Sequence, residues 1–207
     1  MQEDLFGNKN KTNRECSLEL IEKIQGLELH FDFINKNEEA ELLNFIDNSK
    51  WLNDLTRRVQ HYGYKYDYKA RKINNSFFLG ELPVWLQVLA QKIYENKHID
   101  FIPDQAIINE YESGQGISPH IDCEPCFGDT IISISLGSTC IMNFEREPNS
   151  KNKIELFVEP RTLLIMKNES RFDYYHGIPP RKSDKYNNDI FKRTRRVSIT
   201  FRKVILD

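Results

Sequence analysis

The chain has 207 residues, of which 39% are hydrophobic and 12% aromatic, and its formal net charge is −2. This length and composition suit one globular domain with a sizeable core. A charge so near zero excludes any inference of nucleic-acid binding from overall charge, and no apolar run is long enough to span a membrane.

The N-terminal region predicts a tail with a short helix over residues 1–25. Residues 1–13 are polar and are expected to be frayed. Ser17 is predicted to cap the helix and Gly26 to end it. The helix would place its apolar residues in the core: Leu18, Ile21 and Ile24.

The next elements predict core structure without chemistry. Residues 27–33 alternate as a strand, and either Asn35 or Asn37 is expected to open a helix. Further on, Pro83 stands at a favoured helix start. The apolar faces of the two helices would be formed by Leu42, Leu43, Phe45 and Ile46, and by Trp85, Leu89 and Ile93.

Between these helices, residues 57–72 interleave aromatic and basic side chains. Tyrosines at 62, 64, 66 and 68 share the parity of one strand face, and lysines at 65 and 69 take the other. One interpretation is a hairpin that packs its tyrosines on the core. The other is a nucleic-acid-binding face, because stacking of a base on an aromatic ring contributes roughly 1–3 kcal/mol.

Everything after Pro103 is rich in short strands separated by turn residues. Strands that follow helices predict an α+β fold in which the sheet closes into a jelly-roll-like barrel. The predicted strands are Ala106 to Tyr111, Ile131 to Leu136, Cys140 to Phe144, Ile154 to Val158, Thr162 to Met166 and Arg196 to Val204.

A His-x-Asp pair follows the first of these strands. His120 and Asp122 lie two residues apart in an extended segment, so their side chains point to the same side. They make two-thirds of the 2-His-1-carboxylate triad that binds Fe(II) and leaves positions open for co-substrates. A third ligand must come from elsewhere, and His176 is the candidate.

Cys123 and Cys126 directly after this pair allow a rival interpretation. With His120 and one further ligand they would form a structural zinc site, although no second Cys-x-x-Cys follows. The two thiols could also serve a redox role. The four cysteines of the chain are few and irregularly spaced, which favours a reducing compartment.

Two polar sets flank the His-x-Asp pair. Upstream, Asn109 and Tyr111 share one strand face. At the end of the chain, Arg196 and Arg202 share the face opposite to Val197, Ile199 and Phe201. An inward-facing arginine on a barrel strand requires an anion, and its guanidinium suits a carboxylate. An iron triad with such an arginine predicts a 2-oxoglutarate oxygenase.

Six sequence motifs, in the order in which the family has them, resemble the AlkB family of Fe(II)/2-oxoglutarate dioxygenases over residues 26–204. They are Asn109-x-Tyr111, His120-x-Asp122, Ser133-x-Ser135-Leu136-Gly137, Glu169-Ser170-Arg171, His176-Gly177-Ile178 and the run from Arg196 to Arg202. The resemblance implies a double-stranded β-helix core at about 104–204 with N-terminal helices, preceded by a nucleotide-recognition-lid hairpin at about 55–80, in a single domain spanning 26–207.

The resemblance also implies residue roles. His120, Asp122 and His176 would hold iron, and Asn109, Tyr111, Arg196 and Arg202 would hold 2-oxoglutarate, with O2 as co-substrate. Six residues of strand span about 20 Å, so Arg202 would either lean toward Arg196 or face the reactive centre. Arg171 would pair locally and serve the fold.

Candidate substrate-binding residues follow from the implied lid: Arg58, His61, Tyr62, Tyr64 and Glu124. Glu124 stands where the bacterial founding member of the family carries an acid that contacts the exocyclic group of its methylated base, although a solvated loop residue would fit the sequence equally well. The basic stretch Lys192–Arg195 is either a second nucleic-acid contact or a solvated turn.

The resemblance implies oxidation of alkylated or modified nucleobases in single-stranded DNA or RNA, of the demethylating repair type. Details around residues 113–122, 133–138 and 200–204 are closest to the branch that hydroxylates a modified wobble uridine in tRNA, and Ser198, which replaces a family asparagine, fits that branch. The sequence also permits a protein-directed oxygenase or a non-catalytic binding protein. We expect a monomer with no membrane partner, located in the cytoplasm or, in a eukaryote, the nucleus.

Overall fold

A computed structural model describes residues 11–53, 55–148 and 150–206, so most of the predicted frayed tail lies outside the described residues. Within them the helices are α1 (Asn13–Ile21), α2 (Lys36–Asp47), α3 (Val84–Glu95) and α4 (Asn168–Phe172), with a 3-10 turn at Asn75–Phe77. None of the helices in these ranges has the length and apolar character that a membrane crossing needs.

The strands confirm the predicted α+β class. Each of the six strands predicted beyond Pro103 is present within two residues of its predicted ends. The strands are β1 (Leu27–His30), β2 (Val59–Tyr62), β3 (Gln105–Tyr111), β4 (Ile117–His120), β5 (Ile131–Gly137), β6 (Cys140–Glu145), β7 (Ile154–Val158), β8 (Leu163–Met166), β9 (Tyr175–Ile178), β10 (Ser183–Tyr186), β11 (Asp189–Lys192) and β12 (Arg196–Arg202).

Two antiparallel sheets form the core of the double-stranded β-helix. The larger sheet has the order β1-β8-β5-β12-β3-β2, and the smaller has the order β4-β9-β6-β7. Strands β10 and β11 form a separate pair. One hydrophobic cluster joins Ile131 and Met166 of the larger sheet to Met142, Phe144 and Ile178 of the smaller, so the two sheets pack face to face.

Strand β12 separates two chemically different layers. Val197, Ile199 and Phe201 belong to a cluster that also contains the buried faces of α2 and α3. The alternate residues, among them Arg196 and Arg202, line a cavity on the other face of the sheet. The predicted alternation is therefore present, and the helices hold in place the sheet that carries the site.

The start of α1 differs from the prediction. Thr12 is the N-cap, and it forms a capping box with Glu15. Ser17 lies inside the helix, where its hydroxyl donates to the Phe157 carbonyl and accepts from the Phe157 N–H, both at 3.2 Å. The prediction of Ser17 as the cap was wrong, because Thr12 with Glu15 three residues later satisfies the free N–H groups at the helix start.

The other helix starts agree with the sequence more closely. Asn35 caps α2 by accepting from the N–H groups of Asn37 and Glu38 at 2.8 and 3.1 Å. Pro83 occupies the residue just before α3. The apolar faces differ in detail, since Phe45 is exposed and stacks on Trp85 with ring centroids 5.8 Å apart.

The segment after β2 folds back on itself as a hairpin-like loop. Antiparallel bridges join Tyr64 to Phe78 and Asp67 to Lys72. The predicted common tyrosine face was wrong, because Tyr62 packs with the helices whereas Tyr64 packs with the layer between the sheets. Gly63 causes this change: its φ is +75°, and a Cβ there would lie 1.9 Å from the Asp104 carbonyl oxygen.

Candidate metal and co-substrate site

Strand pairing brings the three predicted iron ligands together. His120 on β4 lies directly opposite His176 on β9, with ring centroids 4.4 Å apart. The carboxylate of Asp122 follows two residues after His120, and its Oδ1 is 3.6 Å from the His120 Nε2. One ligand atom from each side chain lies within 4.8 Å of the others. Two imidazoles and one carboxylate at this separation suit a divalent iron ion.

Arg202 neutralises the buried carboxylate of the triad. Its Nε donates to the Asp122 Oδ2 at 2.9 Å, and its Nη1 donates to the Gln105 Oε1 at 3.3 Å. Burial alone would raise the pKa of Asp122, but Arg202 and the two histidines hold that pKa well below its usual range. Asp122 is therefore ionised, and its Oδ1 lies on the side of the two histidines, where it could bind a metal.

The two imidazoles are prepared for metal binding in different ways. The Nδ1–H of His120 donates to the Ser118 carbonyl at 2.9 Å because a carbonyl oxygen only accepts, and this contact leaves Nε2 as the atom that would bind a metal. Burial, with the neighbouring His120, lowers the pKa of His176 to about 3. His176 is thus neutral at physiological pH and able to coordinate a metal.

Arg171 fixes the loop that carries Asp122. Its guanidinium is buried and donates to the carbonyl oxygens of Asp122 at 3.0 Å and Gly128 at 3.2 Å, with longer contacts to those of Cys123 and Phe127. The expected fold role of Arg171 therefore acts on the metal loop itself. Cys123 and Cys126 in this loop form a disulfide with each other instead of joining the His120 cluster.

A second polar group lies at the other end of β12. The Nη2 of Arg196 donates to the Ser135 Oγ at 2.7 Å, and its guanidinium lies over the Tyr111 ring, 5.5 Å from the centroid. Among the described residues the buried Nε of Arg196 has no hydrogen-bond partner. Burial raises the pKa of Tyr111, which keeps its phenol neutral. Asn109 accepts from the Arg57 Nε at 2.8 Å.

This donor set fits 2-oxoglutarate. An unpaired N–H on a buried guanidinium needs an acceptor, and a carboxylate would supply one. The triad, Asn109, Tyr111 and both arginines of β12 line the same cavity of about 770 Å³. Arg202 of β12 therefore lies at the triad end of the cavity, and Arg196 of the same strand lies at the end suited to an anion.

An aromatic and basic wall closes one side of the cavity. It contains Tyr66, Tyr68, Arg57 and Arg71, with Glu124 exposed in the metal loop. The rings of Tyr66 and Tyr68 meet edge to face at 5.0 Å. Burial raises the pKa of Tyr68 to about 12, and its buried hydroxyl has no partner among the described residues.

Four of the five predicted substrate-binding residues lie outside the cavity lining, as far as the described residues show. They are Arg58, His61, Tyr62 and Tyr64. Arg58 pairs with the buried Glu110 and lies over the Trp51 ring. Tyr62 packs edge to face on Trp85, and Tyr64 packs on Phe78. The N–H of Tyr66 donates to the His61 Nδ1 at 3.3 Å.

Sequence reasoning did not select the wall residues. Tyr66 and Tyr68 share the parity that identified Tyr62 and Tyr64, so the signal was present but did not separate the four. Arg57 and Arg71 stand at the two ends of the same basic segment. No local pattern distinguishes Arg57 from Arg58, since only the ion pair with Glu110 turns Arg58 away.

Comparison with known proteins assigns the fold. The sequence model of the 2OG-Fe(II) oxygenase superfamily matches residues 27–202. The structure is similar to that of OsALKBH1, with a TM-score of 0.66 and 16% identity, over 86% of this chain and 96% of the other. At that identity the likeness shows the fold, and it confirms the expected jelly-roll architecture.

Two relatives are similar in sequence. An uncharacterized protein of Acanthamoeba polyphaga mimivirus is 35% identical over 197 residues, which are 93% of this chain and 91% of the relative. The "Alkylated DNA repair protein ALKBH8 homolog" of Arabidopsis thaliana is 38% identical over 203 residues. That match covers 87% of this chain but spans only 59% of the plant protein.

The buried state of His176 predicts a pH dependence of stability in the metal-free protein. Its pKa is about 3 in the fold and 6.5 in a model peptide, so between these values the unfolded chain binds one more proton. The contribution that neutral His176 makes to the free energy of unfolding is therefore fully present above pH 6.5. It is lost progressively as the pH falls toward 3. Between pH 6.5 and 4.5 the loss should be about 2 kcal/mol.

Urea unfolding with chelator present measures this loss. A His176→Gln variant lacks the titrating group, so its free energy of unfolding should fall by about 2 kcal/mol less over the same interval. Equal losses in the two proteins would show that His176 is not held neutral in the fold.

Proposed function

Because the chain belongs to the AlkB family of 2OG-Fe(II) oxygenases, we propose that it oxidises alkylated or modified bases in DNA or RNA. It is a Fe(II)- and 2-oxoglutarate-dependent dioxygenase by family. The observation that carries the proposal is one cavity of about 770 Å³ that joins the His120, Asp122 and His176 cluster, the Arg196 end and an aromatic wall.

The proposed roles at the metal end follow from the contacts. His120, Asp122 and His176 would hold iron, and Arg202 keeps Asp122 ionised. Iron with 2-oxoglutarate and O2 supplies the oxidation of a C–H bond, and succinate and CO2 are the coproducts. Arg202 is then a positioning residue. This role favours the prediction that Arg202 faces the reactive centre over the prediction that it leans toward Arg196.

The proposed roles at the anion end rest on the unpaired guanidinium. Arg196 binds the distal carboxylate of 2-oxoglutarate, and the Ser135 hydroxyl at 2.7 Å holds its side chain in place. The neutral phenol of Tyr111 is a donor for the same carboxylate, and the amide of Asn109 lies on the same strand face. Burial of these groups excludes water from the bound acid.

The aromatic wall is suited to a nucleobase. We assign base stacking to Tyr66 and Tyr68, phosphate contacts to Arg57 and Arg71, and recognition of the exocyclic base group to Glu124. Support comes from their place in the cavity wall, since a base stacked there would lie beside the metal end. The proposed substrate face therefore keeps Glu124 but replaces the other four residues that the sequence alone favoured.

A tRNA-directed hydroxylase is the second candidate. Ser198 lines the cavity where the family pattern has an asparagine, and this departure fits the tRNA-directed branch that the sequence resembles. If the target is an N-methyl group, the hydroxylated product loses formaldehyde and leaves the repaired base. If the target is a carbon that does not collapse in this way, the hydroxyl group stays in the product.

The deciding experiment is mass spectrometry of nucleosides after reaction with Fe(II), 2-oxoglutarate and ascorbate. The substrates are N-methylated single-stranded DNA, N-methylated RNA and total tRNA, and His120→Ala is the blank. We expect loss of a methyl group from the methylated substrates with the wild-type protein only, because the variant lacks a metal ligand.

Each different outcome has a distinct meaning. Gain of one oxygen on a tRNA nucleoside would replace the demethylase by the tRNA candidate. Succinate formation without any nucleoside change would contradict a nucleobase substrate and favour a protein substrate. Absence of succinate from the folded wild-type protein would contradict the enzyme itself and favour a non-catalytic binding protein.

Arg196→Met is expected to weaken 2-oxoglutarate binding. Loss of charge-assisted hydrogen bonds of about 1.5–3 kcal/mol should raise the KM for 2-oxoglutarate roughly 10- to 150-fold. Succinate release at varied 2-oxoglutarate measures this effect. Arg195→Met is the matched control, because Arg195 pairs with Glu110 and Asp47 away from the cavity. Equal effects of the two substitutions would contradict the assignment.

Tyr66→Ala is expected to reduce the affinity for a single-stranded oligonucleotide about 5- to 150-fold, as loss of one stacked base predicts. Tyr64→Ala is the control, since Tyr64 is a half-buried tyrosine of the same loop that packs on Phe78 outside the cavity wall. Fluorescence anisotropy of a labelled oligonucleotide, with chelator present so that no turnover occurs, gives the affinities of both variants. A greater loss of oligonucleotide affinity for Tyr64→Ala would contradict the assignment and favour Tyr62 and Tyr64 as the base-binding residues.

A further inference from the structure

A second cluster of two histidines and one carboxylate lies outside the cavity. It consists of Glu28 and His30 on β1 and His98 just beyond the C-terminal end of α3. One ligand atom from each lies within 4.8 Å of the others, as in the triad. Neither the catalytic proposal nor the sequence motifs account for this cluster.

The cluster has the geometry of a metal site. The rings of His30 and His98 have centroids 4.2 Å apart, against 4.4 Å for the two histidines of the triad. The His30 Nε2 forms a hydrogen bond with the Glu28 Oε2 at 3.2 Å, and an ion bound between them would replace the shared proton. Two ligands at roughly 2.0–2.1 Å from a tetrahedral ion lie about 3.3 Å apart, so this pair needs almost no movement to share one ion.

A lysine engages one oxygen of the Glu28 carboxylate. The ammonium of Lys167 lies 3.1 Å from the Glu28 Oε1 and also donates to the His98 carbonyl at 2.8 Å. Lys167 therefore engages one carboxylate oxygen and leaves Oε2 on the side of His30.

We infer that Glu28, His30 and His98 form a second metal site, which binds a divalent transition ion of the Zn²⁺ class. Imidazole nitrogens with one carboxylate oxygen are ligands that Zn²⁺ prefers, and three protein ligands leave the fourth position to water. All three residues are partly exposed, so an ion reaches the site directly from solvent. None of the three residues lines the cavity of the triad, so an ion bound here lies apart from the proposed catalytic centre.

Such an ion would connect three elements. Glu28 and His30 lie on the edge strand β1, His98 follows α3, and Lys167 precedes α4, whose Arg171 holds the metal loop of the triad. Binding to the native state alone stabilises it by mass action. The inference is independent of the proposed function, because it concerns neither catalysis nor substrate.

Zinc stoichiometry of the chelator-stripped full chain tests the inference. Equilibrium dialysis against Zn²⁺ with elemental analysis should give two ions per wild-type chain, one at each cluster. The His30→Asn/His98→Asn variant should bind one ion, and the His120→Ala/His176→Ala variant should also bind one. His61→Asn is the matched control, since His61 belongs to neither cluster, and it should still bind two ions.

The Glu28→Gln variant tests whether misfolding, and not loss of a ligand, explains a loss of zinc binding. This substitution removes the charge but keeps the shape of the side chain. In the His120→Ala/His176→Ala background it should weaken zinc binding about tenfold or more, and it should reduce the zinc-dependent rise in Tm. An equal number of ions on the wild-type chain and on the His30→Asn/His98→Asn variant, or no ion on a folded chain that lacks the triad histidines, would overturn the inference.

Discussion

The geometry of the site depends on one buried charge, the carboxylate of Asp122. A buried carboxylate without partners costs several kcal/mol, so its surroundings must supply positive charge and hydrogen-bond donors. Arg202 supplies the charge, and Arg171 fixes the backbone of the same loop through its carbonyl oxygens. The position of Asp122 is thus set from two sides, and the two histidines meet it across the β4–β9 pair.

Strand β12 links this charge to the rest of the fold. Its apolar residues pack against α2 and α3, and its polar residues face the cavity. A slip of one residue in its pairing with β3 or β5 would exchange the two faces, placing arginines in the apolar layer. Burial of the helices therefore fixes the register that aims Arg196 and Arg202 at opposite ends of one cavity.

The two histidine clusters have similar ligands but different surroundings. Each combines a His and a carboxylate two residues apart with a second His from a distant segment. Around the triad, burial and a large cavity leave room for a small acid and a base. Around Glu28 and His30 the side chains are partly exposed, and Lys167 shares the carboxylate. The surroundings, more than the types of ligand, distinguish the two sites.

The sequence by itself determined the fold class, the two faces of β12 and the candidate iron and 2-oxoglutarate ligands, because strand alternation and ligand type are local properties. Only the tertiary structure decided which tyrosines line the cavity, since the positive φ of Gly63 ends the alternation. It also decided that Arg58 pairs with Glu110 and that His98 joins His30. Those contacts join residues far apart in the chain, and they depend on strand register and packing, which local patterns do not encode.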